Sequence, residues 1–526
     1  MAQEKHYDLI IVGAGMAGCI LAARIAENGI NPRNGEPLRI ALLDWGPYLK
    51  GTPKSGYGHP VRRQAFTNVI GDFLEGDRYK TKWGKAKIVG GSGLHYGAQA
   101  FHPFDVDYRH WQNETGVDWT EENFKEAVEE VHTMFNVHAL PRQLLTEGQS
   151  LFEGAATKLG HKLERMNHAR KNCIYCILGC QNGNMCKYDS KMNSFISHLP
   201  IAEKHGVEII PNTHVKKLIL EKKGADFVAT GVWAEQEAHG QIKLTADKVL
   251  LSACENGTPL ILYNSGYGPR DLLGKDLIVE NPNVGRHLDG KLRMRSFPAY
   301  FPMPIKNPSD GMPPSAFYFF RGGSPDGYNR TLFKEGTPKL EWAERLALHE
   351  FAPEFGQEHK RFMATGGLHI ASQVSIQYKR RESLEGLIRR DGSHEFPTNV
   401  TRDVRAARDL KEAMIILRDI YREMGSSEIR DIQPVLKRLD AVIASNAQVR
   451  SPVGATHQSC SCRAGVDRSN SVVNERFECH DIRNLFICDL SVLPRVNYGN
   501  PGIAMVAHIA CFAWRRLVQD HFSRSA

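Results

Sequence analysis

The sequence predicts an α/β fold built on a parallel sheet, and three observations support this. An apolar, β-branched run from Tyr7 to Val12 is followed by a glycine turn and an alanine-rich helical segment. A second apolar run at residues 38–44 comes after a polar loop, so strand, helix and strand form one βαβ unit. Short apolar runs much later in the chain are expected to complete the sheet; they are residues 207–210, 217–220, 248–252 and 485–489.

Composition and charge argue against several classes of protein. Hydrophobic residues make up 41% of the chain and charged residues 24%, as in ordinary globular proteins. The net charge of +8 comes from basic residues scattered among acidic ones, so no nucleic-acid partner is expected. The first residues run directly into a strand without a cleavable secretion signal, and the longest apolar stretch, residues 503–514, is too short to span a bilayer. We expect a cytoplasmic protein without an integral membrane segment, or a periplasmic one if it is exported with a partner subunit.

A glycine-rich turn joins the first strand to its helix. Gly13, Gly15 and Gly18 match G-x-G-x-x-G, in which the first glycine makes the turn, the second admits a diphosphate and the third lets helix and strand pack closely. Unpaired N–H groups at the helix N-terminus favour an anion there. Asp44, at the end of the second strand, is placed to accept hydrogen bonds from ribose hydroxyls. The unit predicts a Rossmann-type dinucleotide site, and FAD and NAD both remain open at this point.

A second glycine cluster, GKAKIVGGSGLHYG at residues 84–97, bears on that choice. Gly90, Gly91 and Gly93 leave the backbone bare, so that it can lie against a flat ring system or a phosphate. A surface glycine turn is the alternative interpretation of this segment taken alone.

Several segments together resemble the glucose-methanol-choline (GMC) oxidoreductase family. GAGMAG and GKAKIVGGSGLHYGAQAF are similar to its two N-terminal motifs, and VGRHLDGK at residues 284–291 is similar to its V-G-R-N-L-x-D segment. Near the C-terminus, three further segments are similar to motifs of the family and follow in the same order. They are THQSCSCRAG, SVVNERFECHDIRNLFICDLSVLP and NYGNPGIAMVAHIA. These motifs are spread over nearly the whole chain, which makes them more specific together than any one of them alone.

The resemblance implies FAD as cofactor and a role for individual residues. His457 falls on the family's catalytic histidine, and Asn500 falls on the second position of the catalytic pair, which is His or Asn. Asp489 falls on the acidic position beside the flavin, and Val215 is a looser match to the residue whose backbone meets the adenine. His95 matches the position at which some sugar oxidases bond FAD covalently. We expect close non-covalent contact with the flavin, and a covalent bond is the alternative.

These residue types suit the oxidation of an alcohol. Histidine, with an ordinary pKa of about 6.5, can accept the hydroxyl proton near neutral pH. The amide of Asn500 can donate to the developing alkoxide. The resemblance therefore implies hydride transfer from an alcohol carbon to the flavin, with a sugar, glycoside, polyol or other secondary alcohol as substrate. The sequence departs from the family's pattern at Cys460, Ser461 and Ala464, which puts any borrowed substrate in doubt.

The electron acceptor is expected to be a protein, a cytochrome or a quinone, and not oxygen. An oxidase that releases hydrogen peroxide is the alternative within the family. A non-catalytic electron-transfer subunit would keep the glycines but could lose His457 and Asn500, which are both present. A pyridine-nucleotide or disulfide reductase would need a second G-x-G-x-x-G, which the sequence lacks.

Four cysteines form a dense cluster, C-x2-C-x3-C-x5-C, in a loop-like segment. Soft thiolates at such spacing can hold an iron–sulfur cluster. Certain three-subunit sugar dehydrogenases that resemble the family carry one in the corresponding insertion, which implies a small partner subunit. Other members have packed cysteines there, so a cluster, structural thiols and a disulfide all stay open. The four residues are Cys173, Cys176, Cys180 and Cys186.

We therefore predict a discontinuous Rossmann-type FAD-binding domain with an inserted α+β substrate-binding domain. The length of 526 residues requires more than one core, and residues 292–399 are broken by Pro and Gly and rich in aromatics. Helices are expected at residues 121–135 and 402–424. The FAD-binding domain is expected to comprise residues 1–105, 200–291 and 452–526. The substrate-binding domain is expected to comprise residues 106–199 and 292–451, with the cysteine-rich insertion at 173–186.

Overall fold

The fold is described from a computed structural model of the chain. The residues that it describes are 5–49, 86–94, 96–139, 147–161, 164–165, 167–173, 186, 189–236, 238–295, 299–300, 316–319, 331–336, 373–378, 386–395, 404–426, 428–429, 433–445, 454–497 and 502–523.

The helices lie close to the positions that the sequence predicts. In chain order, the α-helices of the described residues are α1 (Met16–Asn28), α2 (Asp105–Thr115), α3 (Glu121–Met134), α4 (Glu147–Lys158), α5 (Ser194–Ser197), α6 (Leu199–Lys204), α7 (Cys254–Asn264), α8 (Arg270–Leu273), α9 (Val404–Glu423), α10 (Gln433–Ser445) and α11 (Gly502–His521). None of these described helices combines the length and the apolar composition that a membrane span requires.

The strands of the same residues fall mainly into two large sheets. In chain order they are β1 (His6–Val12), β2 (Ile40–Leu43), β3 (Val137–Ala139), β4 (Glu164–Arg165), β5 (Asn167–Ala169), β6 (Glu208–Ile210), β7 (Thr213–Lys223), β8 (Asp226–Gln236), β9 (Gly240–Leu251), β10 (Tyr267–Gly268), β11 (Val279–Glu280), β12 (Asp289–Arg295), β13 (Ala299–Tyr300), β14 (Ala316–Phe319), β15 (Thr331–Gly336), β16 (Gln373–Tyr378), β17 (Leu387–Ile388), β18 (His394–Glu395), β19 (Glu428–Ile429), β20 (Gly454–Ser459), β21 (Ile482–Arg483) and β22 (Leu485–Ile487).

The first sheet has a parallel core assembled from distant parts of the chain. Its strands run in the order β6-β2-β1-β9, with β22 beside β9, and each of these pairings is parallel. Ile11 pairs with Leu42 on one side and Leu250 on the other, and all three side chains are buried. Parallel strands are ordinarily covered on both faces, which explains their unbroken apolar runs. The predicted α/β fold with a discontinuous Rossmann-type unit is confirmed.

Strand β9 also belongs to an antiparallel meander with β7 and β8. Its first half pairs with β8 and its second half with β1, and Thr245 is the residue at which the two pairings meet. Gly231 of β8 has φ +152, and a Cβ there would lie 2.1 Å from the carbonyl oxygen of Leu244. Glycine therefore permits the close crossing of the two strands. The meander brings the start of β7 beside the loop after β2, because the N–H of Thr213 donates to the carbonyl of Asp44 at 2.7 Å.

The second sheet is antiparallel and runs in the order β20-β12-β16-β15-β14-β4. Strand β20, which contains His457, forms its edge and pairs with β12, where Asp289 lies opposite Ser459. The register shifts between Asp289 and Lys291, so a β-bulge bends the pairing at that point. His457 thus lies on the edge strand, opposite this bulge.

A layer of helices covers the parallel sheet. Helix α1 packs against α11 and α6, and α3 packs against α11. The ring of Phe124 on α3 stacks on Phe512 of α11 with centroids 4.0 Å apart, and Trp119 stacks on Phe477 at 5.3 Å. These aromatic contacts anchor the segment before α3 and α3 itself on the helical layer of the parallel sheet.

Glu130 of α3 is the charged centre of this layer. Its carboxylate lies 2.8 Å from Arg515 Nη1 and accepts from Trp514 Nε1 at 3.0 Å, and Arg24 of α1 also donates to it. The Glu130 side chain is only 8% exposed. Burial raises the pKa of Glu130, but the surrounding donors and cations lower it by more, to about 2.

Replacing Glu130 with Gln is expected to lower the free energy of unfolding by roughly 2 kcal/mol at pH 7, because the partly buried cations Arg24 and Arg515 lose their charged partner. The pKa is lower in the folded than in the unfolded chain, so the stabilisation is complete above about 4.5 and is lost as the pH falls towards about 2. The difference between wild type and variant in urea unfolding should therefore shrink across that window. Glu126→Gln is the control, since Glu126 pairs with the same Arg515 but is 76% exposed; an equal loss in both variants would contradict the interpretation.

Candidate active site

A cavity of about 380 Å³ opens at the carboxyl ends of the parallel strands. Val12 ends β1 and Leu43 ends β2, and both line it. Ser252 and Asp489, which come directly after β9 and shortly after β22, line it as well. Open α/β sheets ordinarily bind their ligands in this crevice. Six of the residues predicted to bind the cofactor lie in this wall: Gly13, Gly15, Asp44, Gly91, Val215 and Asp489.

The three glycines of the first motif have three different surroundings. Gly13 has φ +103, and a Cβ there would lie 2.3 Å from the Ser252 carbonyl oxygen. A Cβ on Gly18 would lie 1.8 Å from the Gly13 carbonyl oxygen, so this glycine lets α1 pack against the turn. A Cβ on Gly15 would meet no heavy atom within 4 Å, and Gly15 caps the N-terminus of α1 without a side-chain hydrogen bond. The open space at Gly15 and the bare helix end suit a diphosphate.

The second glycine cluster folds directly onto the first. The N–H of Gly90 donates to the carbonyl of Ala14 at 2.7 Å. Gly91 has φ +54, and a Cβ there would lie 3.0 Å from Gly15 Cα. The two motifs therefore form one backbone-lined wall, in which Gly91 borders the cavity and Gly90 shapes the turn behind it.

Asp44 is buried beside the first motif. Its carboxylate accepts from the N–H of Ala14 at 2.9 Å and from the N–H of Gly46 at 2.8 Å. Burial raises the pKa of Asp44 to about 6, although both hydrogen bonds and the charge of Lys87 oppose the shift. Each carboxylate oxygen has a second lone pair, so Asp44 can also accept from a sugar hydroxyl in the cavity.

Asp489 joins the cavity to the N-terminus of α7. One carboxylate oxygen accepts from the N–H of Cys254 at 2.9 Å and from the hydroxyl of Thr258 at 2.6 Å. The other oxygen accepts from the N–H of Ser491 at 2.7 Å. Burial raises the pKa of Asp489 despite these bonds. Cys254 has φ +75, which is a strained conformation for a residue with a side chain.

Val215 lines the cavity near the C-terminal end of α7. Its neighbour His214 contacts Trp45, with ring centroids 5.7 Å apart, and Lys87 Nζ lies 5.8 Å from the Trp45 centroid. The side chain of Asn264, at the last turn of α7, donates to the Lys216 carbonyl at 3.1 Å. Eleven helical residues span roughly 15 Å from Cys254 to Asn264, so the cavity is long enough for an extended ligand.

His457 lies on the strand that borders this wall. It has φ +56, and Cys460, three residues later, has φ +79. The N–H of Cys460 donates to the carbonyl of Leu490 at 3.1 Å, and Leu490 lines the cavity. Two left-handed residues so close together hold the chain in a turn that regular β-structure would not give. The strand of the predicted base is thereby fixed to the wall that also carries Asp489.

Other predicted site residues lie outside the described part of the chain. They are His95, Asn500, Cys176 and Cys180. Cys173 Sγ lies 3.9 Å from Arg170 Nη1, and Cys186 Sγ accepts from the N–H of Ser190 at 3.3 Å. Among the described residues, no group of three or more His, Cys, Asp or Glu is arranged to hold a metal ion. Nothing in this part of the chain supports the iron–sulfur cluster.

The wall of the cavity matches the chemical needs of FAD. Gly15 provides the space for a diphosphate, and two buried polar atoms of the wall, Ser252 Oγ and Asn256 Oδ1, have no hydrogen-bond partner. Buried polar atoms are ordinarily paired, so these two point to a polar ligand. The wall is otherwise mainly apolar, as a flat ring system requires.

Comparison with known proteins decides the family. The N-terminal family model described as GMC oxidoreductase matches residues 7–289, and the C-terminal one matches residues 389–508. The chain belongs to the GMC oxidoreductase family. The family match confirms the resemblance that the sequence motifs indicated. GMC enzymes are FAD-dependent and oxidise alcohols.

Full-length GMC relatives are similar over nearly the whole chain. The oxygen-dependent choline dehydrogenase of Vibrio vulnificus is 23% identical, over 94% of this chain and 92% of the relative. The glucose dehydrogenase [FAD, quinone] of Drosophila pseudoobscura is 22% identical, over 94% of this chain and 84% of the relative.

Solved structures confirm the GMC fold. Pyridoxine 4-oxidase from Mesorbium loti superposes with a TM-score of 0.72 at 18% identity, over 98% of this chain and all of that one. A formate oxidase variant from Aspergillus oryzae superposes with a TM-score of 0.72 at 16% identity, over 99% of both chains. At these identities the likeness establishes the fold and leaves the substrate open.

Sequence reasoning missed several residues of the cavity. Ser252 could have been found, because it ends an expected strand and strand ends form the ligand crevice. Asn256, Arg390 and Asp391 also line the cavity, but no local pattern marks them. They reach it only through tertiary packing.

Proposed function

We propose that this chain oxidises an alcohol to a carbonyl compound with FAD bound in the cavity and His457 as the base. The observation that carries the proposal is the fixed link between the two parts of the site. The strand of His457 is hydrogen-bonded through Cys460 to Leu490, one residue after Asp489, in the wall that Gly15 leaves open for a diphosphate. This backbone hydrogen bond between two separate segments supports the placing of the base beside the cofactor site.

FAD, when bound, supplies the two-electron acceptor for the hydride of the alcohol carbon. His457 takes the hydroxyl proton at one of its ring nitrogens, and Asn500 donates its amide N–H to the oxygen that becomes a carbonyl. Gly13, Gly15, Gly90 and Gly91 would shape the backbone wall for the cofactor. Asp44 would accept from the ribose, and the backbone of Val215 would hold the adenine.

The substrate class is proposed to be a sugar, glycoside, polyol or other secondary alcohol. Glucose dehydrogenase among the relatives supports a sugar, whereas choline dehydrogenase and pyridoxine 4-oxidase support other small alcohols. The acceptor is proposed to be a quinone, cytochrome or other protein. The quinone named for the glucose dehydrogenase supports it, and an oxygen-using enzyme is the competing outcome.

An anaerobic reduction assay followed by turnover in air tests the proposal. The purified protein should show a flavin spectrum that is bleached by at least one alcohol from a panel of sugars, polyols and amino alcohols. Turnover with a quinone or dye should then exceed hydrogen peroxide formation by about tenfold or more, a barrier difference of ~1.4 kcal/mol. Peroxide formed as fast as dye is reduced would make the enzyme an oxidase. A bound flavin that no alcohol bleaches would favour the electron-transfer subunit. The same spectrum, with an iron and sulfide assay, shows whether the four cysteines hold an iron–sulfur cluster.

A further inference from the structure

A short hairpin borders the cavity with two exposed residues. Strands β17 and β18 pair so that Leu387 lies opposite Glu395, and the turn between them carries Arg390 and Asp391. Both turn residues line the cavity, although the rest of its wall comes from the parallel sheet, its helices and the loops beside them. The hairpin lies more than a hundred residues after α7 in the sequence. It therefore forms a part of the cavity wall that is separate from the parallel sheet and its helices.

The base of the hairpin is firmly held. The N–H of Ile388 donates to the Gly285 carbonyl at 2.8 Å, and the carbonyl of Ile388 accepts from the hydroxyl of Tyr263 at 2.9 Å. Gly386 and Leu288 exchange two backbone hydrogen bonds of 2.8 and 2.9 Å. The Ile388 side chain is fully buried. The position of the turn is therefore fixed by the hydrogen bonds and the buried side chain at the base of the hairpin.

The turn lies at the end of the cavity where Val215 is assigned to the adenine, which we call the adenosine end. A Cβ on Gly392 would lie 3.5 Å from Leu260 Cδ1 in the second half of α7. One turn later on the same helix, Asn264 bonds to the Lys216 carbonyl, next to Val215. The first residue of α7, Cys254, donates to Asp489 on the side assigned to the flavin, roughly 15 Å away. The hairpin and the segment assigned to the adenine thus share one end of the helix.

Arg390 and Asp391 offer an adenosine complementary groups. Arg390 Nη1 lies 2.9 Å from Asp276 Oδ2, which holds the guanidinium at the cavity edge while leaving its other donors available. A planar guanidinium favours the face of an aromatic ring, and the Asp391 carboxylate accepts from amino and hydroxyl groups. The neighbouring Arg389 is engaged differently, because it pairs with Glu395 across the hairpin and does not line the cavity.

We propose that the hairpin Leu387–Glu395 is an adenosine clasp, in which Arg390 and Asp391 bind the adenosine part of FAD and slow its release. The inference rests on the proposed function, since it requires FAD in this cavity. By this inference, a segment outside the glycine motifs helps to retain the cofactor.

The rate of FAD release tests the clasp. Holoprotein diluted far below the Kd should release FAD about tenfold faster in Arg390→Ala than in wild type, as followed by the rise in FAD fluorescence. The Kd of the apoprotein for ADP, a probe of the adenosine end alone, should weaken by a similar factor. Arg389→Ala is the matched control and should leave both values unchanged.

The outcomes separate the clasp from the proposed function. Wild-type protein that binds FAD, with an unchanged release rate in Arg390→Ala, would overturn the clasp alone. Equal acceleration in Arg389→Ala and Arg390→Ala would also overturn it, because hairpin stability and not contact with adenosine would then be responsible. Wild-type protein that binds neither FAD nor ADP would overturn the clasp together with the proposed function.

Discussion

Flavin reduction by the alcohol substrate is expected to slow by roughly 10²–10⁴-fold when His457 is replaced with alanine, while FAD remains bound. The imidazole removes the hydroxyl proton, and without it the proton must leave to water. His457 does not line the cavity at Gly15 and Asp489, so the flavin content should match that of the wild type. Anaerobic stopped-flow bleaching measures the rate of flavin reduction, and the ratio of flavin to protein absorbance measures the occupancy.

A second histidine variant makes the test specific. His239 lies exposed in the turn between β8 and β9, and His239→Ala should reduce the flavin at the wild-type rate. His457→Gln keeps a hydrogen-bonding side chain but cannot take the proton, so it should be nearly as slow as His457→Ala. Wild-type bleaching rates in either His457 variant would show that another group is the base.

Gly15→Val should yield a folded protein that has lost its flavin. A Cβ at this position meets no heavy atom within 4 Å and the backbone φ is −80, so the chain itself tolerates a side chain. The branched side chain would instead occupy the space of the diphosphate. Affinity for FAD should fall by about a hundredfold or more, which is ~2.7 kcal/mol. Titration of the apoprotein with FAD gives the Kd, and circular dichroism confirms the fold.

Two other glycines separate loss of the cofactor from loss of the fold. Gly154 on α4 also has no atom within 4 Å of its Cβ position but lies away from the cavity, so Gly154→Val should retain FAD. Gly18→Ala would place its Cβ 1.8 Å from the Gly13 carbonyl oxygen, so it should destabilise the protein before it affects binding. Full flavin occupancy in Gly15→Val would mean that the diphosphate lies elsewhere.

The sequence by itself determined the elements whose signals are local. Helix α3 was predicted at residues 121–135 and is found at Glu121–Met134, because apolar residues at helical spacing and a Thr120 cap need no distant partner. The first strand, turn and helix were predicted equally closely. The three glycine positions also followed from the sequence, because bare backbone at a turn is a property of the residue itself.

Only the tertiary structure decided which of these elements meet. Strand β20 was expected within the FAD-binding part of the chain but pairs with β12 in the antiparallel sheet, and α3 was assigned to the substrate-binding part but packs on α11. The domain boundaries themselves stay a prediction. Pairing partners depend on side chains far apart in sequence, which no local pattern encodes.

The site divides in the same way. The motifs located one end of the cavity, at Gly15 and Asp44, because a diphosphate and a ribose need fixed residue types at fixed spacing. The other wall, at Arg390 and Asp391, and the buried charge of Glu130 came from the structure alone. Arg390 and Asp391 are exposed residues that reach the cavity because the fold brings a distant hairpin beside it. The role of Glu130 arises from its burial among cations of separate segments.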